Sequence, residues 1–187
     1  MATGIVYPSS RPDRAEASQP VTAVGGASVS LPRSRVWGFL IGCTGPNQRT
    51  TIVSQAFQTP CVIWEMNVNW PQAGSGGGGL SLLYSTDNSG AQTNGPAAKP
   101  SGTPVFDQAG FRSAAVSEVD TIPEHLSMIG EGGTVTIPLH MVMKYIIDTS
   151  GPIYLKLSLQ AGAGEIRTRG AVLVFEGASL EQLANFL

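Results

Sequence analysis

Charged side chains are scarce in this sequence, because only 13% of its 187 residues are Asp, Glu, Lys or Arg. Soluble domains usually carry about twice that share, so much of the outer surface must be uncharged. Lys and Arg number 11 against 13 acidic residues, and this balance excludes a strongly basic protein that neutralises nucleic acid by itself. Surfaces with so little charge are typical of proteins that partners cover.

Cysteine is also scarce, and the two thiols, Cys43 and Cys61, lie in segments with the pattern of strands. A chain of this length can bury a sufficient core without disulfides or a structural metal, so we expect two buried free thiols. No apolar run approaches the roughly 20 residues of a membrane-spanning helix. The N-terminus lacks the apolar centre of a secretion signal, and no Asn-x-Ser/Thr sequon occurs, so we expect neither membrane association nor secretion.

Glycine and proline are abundant, with 23 and 13 residues, and helical periodicity is rare. This composition favours short strands joined by turns and excludes a helical bundle. Residues 1–35 and the loop Asp87–Pro104 have no hydrophobic period. We therefore predict a flexible N-terminal arm at 1–35, one folded domain at 36–187 and a long functional or interfacial loop.

Continuous or alternating apolar patterns predict six strands, and the spacing leaves room for seven or eight. Short connector helices are expected at 121–130 and after Ser179, where a capping residue precedes Glu or Gln by three positions. Because no strand-helix-strand alternation occurs, the sequence predicts an all-β antiparallel sandwich. The six strands are Val36–Cys43, Cys61–Trp70, Leu80–Tyr84, Thr134–Ile147 with a bend or an edge position at Pro138, Ile153–Gln160 and Ile166–Glu176.

Period-2 alternation also predicts which strand faces form the core. One face of the second strand is expected to oppose the leucine-rich face of the penultimate strand. The predicted core residues are Val62, Trp64, Met66, Val68 and Trp70 against Ile153, Leu155, Leu157 and Leu159.

Catalytic and metal-binding patterns are not found, and we assign no catalytic and no metal-ligating residue. The glycine run before Leu80 precedes a strand and lacks the Gly-Lys-Ser/Thr of a phosphate loop. The two histidines, His125 and His140, have no second ligand at metal-binding spacing, and His140 is expected to point outward from an edge strand. No Gly-x-Ser-x-Gly elbow occurs, so the residues do not favour an enzyme.

Arginine supplies the candidate contacts to nucleic acid. The densest basic group is in the arm, but two acidic neighbours reduce its net charge to four minus two, or +2. Binding through so few phosphate contacts is weak unless many copies act together. The candidates are Arg11, Arg14, Arg33 and Arg35, with Arg167 and Arg169 on one face of the last strand as second candidates.

The order of arm, strands and turns resembles the single jelly-roll coat proteins of small icosahedral positive-strand RNA plant viruses. The segments Thr134–Leu139, Ile147–Pro152 and Gly170–Gly177 are similar to the C-terminal half of tymovirus-like coat proteins. The glycine-rich loop Gly74–Gly79 and the C-terminal capping box depart from that pattern. The small capsid subunits of picornavirus-like plant viruses are the rival.

This resemblance implies an eight-stranded antiparallel jelly roll and a structural, non-enzymatic protein. Its copies would self-assemble, alone or with other capsid subunits, into an icosahedral shell around the RNA genome. It would be found in the virion and, during assembly, in the host cytoplasm. The protein itself would need no cofactor, but polyamines or divalent cations would balance the packaged RNA. A jelly-roll ligand-binding or carbohydrate-binding module and a jelly-roll enzyme remain as alternatives.

Overall fold

The structure is a computed structural model that describes residues 21–22, 28–73, 78–96, 98–111, 133–143, 146–162 and 164–187. Within these ranges the chain forms eleven strands and two short helices, neither of which is long and apolar enough to cross a membrane. The elements are β1 (Val21–Thr22), β2 (Ser28–Val29), β3 (Arg33–Thr44), β4 (Gln48–Val53), β5 (Cys61–Ala73), β6 (Gly78–Ser85), β7 (Gln92–Pro96), β8 (Thr103–Phe111), β9 (Gly133–Ile137), α1 (Leu139–Met143), β10 (Tyr154–Ala161), β11 (Glu165–Glu176) and α2 (Leu180–Phe186).

Nine of these strands form two antiparallel sheets, and β1 pairs with β2 as a separate ribbon. Sheet I has the order β3-β11-β5-β9, and sheet II has the order β7-β4-β10-β6-β8. Without β7, the two sheets contain eight strands, and these pair β3 with β11, β4 with β10, β5 with β9 and β6 with β8. In chain order, the first strand thus pairs with the eighth, the second with the seventh, the third with the sixth and the fourth with the fifth. This is the strand order of a jelly roll. The predicted all-β sandwich is confirmed, and β7 is added at one edge.

The core lies between the inner faces of the two sheets. Leu155, Leu157 and Leu159 alternate along β10 and are fully buried. They belong to one apolar cluster with Met66 and Val68 of β5. Each such side chain stabilises the fold by about 1.5–3 kcal/mol through its removal from water. The predicted core face of β10 is therefore confirmed.

The predicted core face of β5 is wrong at Val62 and Trp64, which lie outside the core cluster because the strand contains a bulge at Trp64. Leu173 of β11 pairs with Glu65 but the next residue of β11, Val174, pairs with Ile63, so Trp64 has no partner in the register. A bulge reverses the alternation of side chains. Ile63 therefore joins Met66 in the core, and Trp64 moves to the outer face. The side chain of Trp70 lies outside the described part of the structure.

The predicted strand Thr134–Ile147 is wrong after Ile137, where Pro138 ends β9. Proline has no N–H to donate to the next strand, and its fixed φ angle suits the start of a helix. The carbonyl oxygen of Pro138 accepts a hydrogen bond from the backbone N–H of Met141 at 3.1 Å. His140 is thus on α1 and not on an edge strand.

The segment Asp87–Pro104 is not a simple loop, because it contains β7 and the start of β8. β7 pairs with β4 through contacts such as Arg49 with Gly95. The side chains of β7 are mostly polar and show no hydrophobic period, so backbone pairing with β4 holds this strand in the sheet. The helix predicted at 121–130 lies outside the described residues.

β3 and α2 lie at the two ends of the predicted folded domain. β3 begins at Arg33, three residues before the predicted strand, while the division into an arm and a domain stays a prediction. α2 confirms the predicted capping box. Ser179 Oγ accepts the backbone N–H of Gln182, and Gln182 Oε1 accepts that of Ala178.

We expect Gly170→Ala to destabilise the fold by about 1–3 kcal/mol. Gly170 lies between β3 and β5, where an added Cβ would overlap the carbonyl oxygen of Asn67 and contact the ring of Phe39. Gly38→Ala is the matched control, since a Cβ at Gly38 has no atom within 4 Å. Urea unfolding of dilute subunits measures both, and equal midpoints would contradict this account of Gly170.

Candidate functional site

The two sheets differ in what covers their outer faces, and sheet II is covered by its own chain. Residues 86–96 and 98–102, which we call the strap, lie between β6 and β8 in the sequence and fold over this face. Lys156 points outward from β10 but is fully buried, and its Nζ lies 3.1 Å from Asp87 Oδ1 at the start of the strap. A Cβ on Gly90 would lie 4.0 Å from the same Nζ atom. The outer face of sheet II is therefore not an open surface.

Polar side chains fill the layer beneath the strap. Arg49 Nη1 donates to Ser158 Oγ at 2.9 Å, and Thr51 Oγ1 lies 3.1 Å from the same oxygen. Asp87 accepts hydrogen bonds from Ser85, Ser89 and Lys156. These bonds, that from Ser85 first among them, hold the pKa of Asp87 well below its usual range. A network of this kind fixes the position of the strap.

Apart from α1 and α2, no described segment covers the outer face of sheet I, which we call the open face and which carries exposed large apolar side chains. Val36 and Leu40 point outward from β3, while Phe39 and Ile41 between and beyond them are buried. The remaining exposed apolar residues lie next to β3 or on α1 and α2. Among the residues with described burial, the six are Leu31, Val36, Leu40, Met141, Leu180 and Leu187, with exposed fractions from 46% to 74%. Apolar exposure concentrated on one side marks an interaction surface.

A depression of about 410 Å³ lies at the centre of this open face. The buried residues Phe39 and Val68 underlie it, and Gly38 leaves room above them, because a Cβ at Gly38 would have no atom within 4 Å. Its other lining residues are Asn67, Asn69, Thr134 and Arg169.

Hydrogen bonds hold the polar rim of the depression. Arg169 Nε donates to Asn69 Oδ1 at 3.2 Å, and Asn69 Nδ2 donates to Thr134 Oγ1 at 2.9 Å. The guanidinium of Arg169 is thereby positioned at the rim but forms no ion pair with a described residue. The depression thus combines an apolar floor with one positive charge.

The two helices are attached to the open face by an aromatic cluster around Trp64. The Trp64 indole stacks on the His140 ring at 3.8 Å and contacts Phe175 and Phe186 with centroids 5.2 and 5.3 Å away. His140 Nδ1 also lies 2.8 Å from the carbonyl oxygen of Trp64. Leu183 of α2 is fully buried beneath the helix. The cluster therefore fixes α2 against one end of sheet I.

Two of the four predicted arm arginines, Arg33 and Arg35, fall in the described part of the structure. Arg11 and Arg14 lie outside the described residues. Arg33 is exposed at the start of β3, and Arg35 is partly buried. Arg35 Nη1 donates to the Ala56 carbonyl at 2.7 Å and to Glu176 Oε1 at 3.0 Å. Its guanidinium also lies 5.0 Å from the centre of the Phe57 ring. Arg35 is thus engaged in contacts within the fold.

The second pair of candidates does share one face. Arg167 and Arg169 both point outward from β11 on the open side of sheet I. Arg167 Nε contacts Glu165 Oε1 two residues away, which offsets its charge. Arg169 contributes the net positive charge of this region, beside the depression.

Cys43 and Cys61 are both buried and free, as predicted. Burial, and after it the nearby carboxylate of Glu176, raises the pKa of Cys61 to about 12, so its thiol stays protonated at neutral pH. In the described part of the chain, no three His, Cys, Asp or Glu side chains are grouped as metal ligands.

No protein-family model matches the chain, and no curated protein matches it significantly. Solved structures of a virus and of virus-derived particles are similar to it at low identity. The Gx strain of infectious bursal disease virus matches with 16% identity and a TM-score of 0.35 over 87% of this chain and 39% of that chain. The VP2 subviral particle of this virus matches with 15% identity and a TM-score of 0.29 over 85% of this chain and 37% of that chain. T=1 particles derived from infectious bursal virus match with 16% identity and a TM-score of 0.30 over 85% of this chain and 37% of that chain. This chain spans less than two fifths of those chains.

Sequence reasoning missed the depression, the strap contact and the aromatic cluster. No local motif marks them, because each joins residues that are distant in sequence, such as Asp87 with Lys156. The one signal in the sequence for the strap contact is Lys156, a charged residue within the apolar strand β10.

We expect Arg35→Ala to destabilise the fold by about 2–4 kcal/mol, because it leaves the buried Glu176 carboxylate without its cation. The matched control is Arg167→Ala, which removes an exposed pair and should cost less than about 1 kcal/mol. Chemical denaturation of both variants checks the difference. Similar losses would show that Arg35 is not a structural residue.

We expect Asp87→Asn to destabilise the protein at neutral pH, since it removes the negative charge that faces buried Lys156. The folded pKa of Asp87 is depressed, so its contribution is complete above the unfolded pKa of about 3.9. It is lost as the pH falls from there through the folded pKa. Melting temperatures of wild type and variant should therefore converge in acid. Asp148→Asn, at an exposed site, is the control, and a difference independent of pH would contradict the role of this charge.

Proposed function

We propose that this chain is a structural viral coat protein whose copies assemble into a closed icosahedral shell. The observation that carries the proposal is the open, apolar outer face of sheet I on a jelly-roll framework. The jelly roll is a fold that viral capsids share with lectins and cupins, so the fold by itself does not select one function. The uncovered apolar face adds a physical reason for association.

The physical reason is that a free subunit leaves this face in contact with water. Val36 and Leu40 are more than two thirds exposed, while the outer face of sheet II is already covered by the strap. Burying apolar surface stabilises an assembly by about 25 cal/mol per Å². A closed shell satisfies such contacts for every copy without leaving an open end.

Within this proposal the shell encloses an RNA genome, and the protein is located in the virion and, during assembly, in the host cytoplasm. The chain has a net charge of −2, so it does not balance the packaged phosphates. Polyamines or divalent cations inside the shell supply the missing charge. Partners are copies of the chain, alone or with other capsid subunits, and RNA bound weakly without sequence preference. The resemblance to tymovirus-like coat proteins stays a prediction.

The proposed phosphate contacts are Arg11, Arg14 and Arg33, with Arg35 the weakest of the predicted four. Arg35 would have to leave Glu176 and Phe57 to reach RNA. Arg169 lies at the open face of sheet I, and Arg167 shares its charge with Glu165.

A carbohydrate-binding module is the second candidate, and the depression favours it. Amide, hydroxyl and guanidinium groups above an apolar floor can bind a small polar ligand. Glycan-array binding by a subunit that stays monomeric would support this function over a shell.

Assembly is the first test of the coat-protein proposal. The full chain, purified without nucleic acid, should form particles visible by negative-stain electron microscopy and sediment as a large species. Because the contacts are mainly apolar, salt should change the yield little. A monodisperse monomer at acidic, neutral and mildly basic pH would contradict the proposal.

Packaging is the second test. The triple variant Arg11→Ala, Arg14→Ala and Arg33→Ala should keep the wild-type particle yield and contain less RNA. Lys99→Ala, on the strap, is the control for loss of a single charge elsewhere. RNA content equal to that of wild type would place the phosphate contacts at other residues.

A further inference from the structure

The open face of sheet I carries two different surfaces that are complementary to each other. The acceptor surface is the depression, with Phe39 and Val68 as its floor and Arg169 at its rim. Leu40 lies beside Arg169 in the register of β3 and β11 and is 74% exposed. The acceptor surface is therefore apolar with one positive charge.

The donor surface is α2. Leu180, Ala184 and Leu187 are spaced i, i+4 and i+7, so they lie along one side of the helix. All three are exposed, because Leu183 and Phe186 on another side attach the helix to the aromatic cluster. Glu181 is exposed in the first turn, and α2 has no basic residue. The donor surface is therefore apolar with one negative charge.

One subunit cannot join its own two surfaces. α2 is fixed over Trp64, which lies opposite the Leu173–Val174 step of β11. The acceptor surface lies farther along the sheet, around Arg169 and Asn69. Neither Glu181 nor Arg169 forms an ion pair with a described residue of its own chain. The two charges and the two apolar surfaces can therefore be paired only between two molecules.

We propose that α2 of one copy docks into the depression on sheet I of a second copy, with Glu181 facing Arg169. This inference deepens the proposed function and rests on it, since it names the subunit contact. Leu180 of α2 and its C-cap residue Leu187 enter above Phe39, where Gly38 leaves space, and beside the exposed Leu40. A polar rim around an apolar centre is typical of protein interfaces. Complementary charges at such a rim fix the register and suppress wrong partners.

A charge-exchange experiment tests the pairing. Arg169→Glu and Glu181→Arg, each alone, place like charges opposite each other and should weaken self-association roughly tenfold. The double variant restores opposite charges and should return self-association to within about threefold of wild type. Lys99→Glu, away from both surfaces, is the charge-reversal control. Circular dichroism and melting temperature confirm that each variant is folded.

A crosslinking experiment tests the contact directly. Subunits with Arg169→Cys are mixed with subunits that carry Glu181→Cys and then oxidised. Because each chain has one new thiol and Cys43 and Cys61 are buried, a disulfide between the two types requires the proposed contact. Lys99→Cys mixed with Arg169→Cys is the control, and the disulfide-linked peptides are identified by mass spectrometry.

The outcomes separate this contact from the proposed shell. Particles together with charge rescue and the expected disulfide support both. Particles that tolerate both single charge reversals and give no disulfide overturn the α2 contact and leave the shell. Disulfide-linked dimers without particles support the contact and overturn the shell. A wild-type chain that stays monomeric and gives no disulfide overturns both.

Discussion

Each sheet has two faces, and the apolar layer between sheets I and II buries only one face of each. That layer, built around the leucines of β10 and residues such as Met66 and Val172, holds the two sheets together. The rest of the molecule follows from how the chain treats the two faces that remain. Sheet II receives a cover from its own chain. Sheet I receives the two helices at one end, and the described residues leave the rest of its outer face open.

The cover on sheet II accounts for polar groups that would be out of place in an apolar interior. Arg49 and Lys156 point away from the core, so they do not disturb it, yet the strap removes them from water. Buried cations are tolerated only when hydrogen bonds and opposite charge compensate for lost hydration. Asp87, Ser158 and Gln160 supply that compensation. Charge on this side is thus placed where it fixes the strap to the sheet.

Much of the fold is predictable from local patterns, and the site is not. The strands β3, β5, β6, β10 and β11 and the capping box of α2 follow from alternation and hydrogen-bonding residues within a few positions of each other. β7 escapes such reasoning because an edge strand of polar residues has no hydrophobic period. The helix after Pro138 escapes it because the apolar residues that follow fit a strand equally well. The depression cannot be predicted, since residues of four strands, β3, β5, β9 and β11, form it together.

Because of the bulge at Trp64, the number of residues in β5 determines which of its side chains face the core. On one side of the bulge odd-numbered residues such as Cys61 and Ile63 face the core, and on the other side even-numbered residues such as Met66 do. Removing one residue here would restore regular pairing without exposing the core. It would also delete the side chain on which α1 and α2 both rest. A single-residue deletion would therefore leave a folded sandwich whose helices have lost their platform, which separates the capacity to fold from the capacity to present α2.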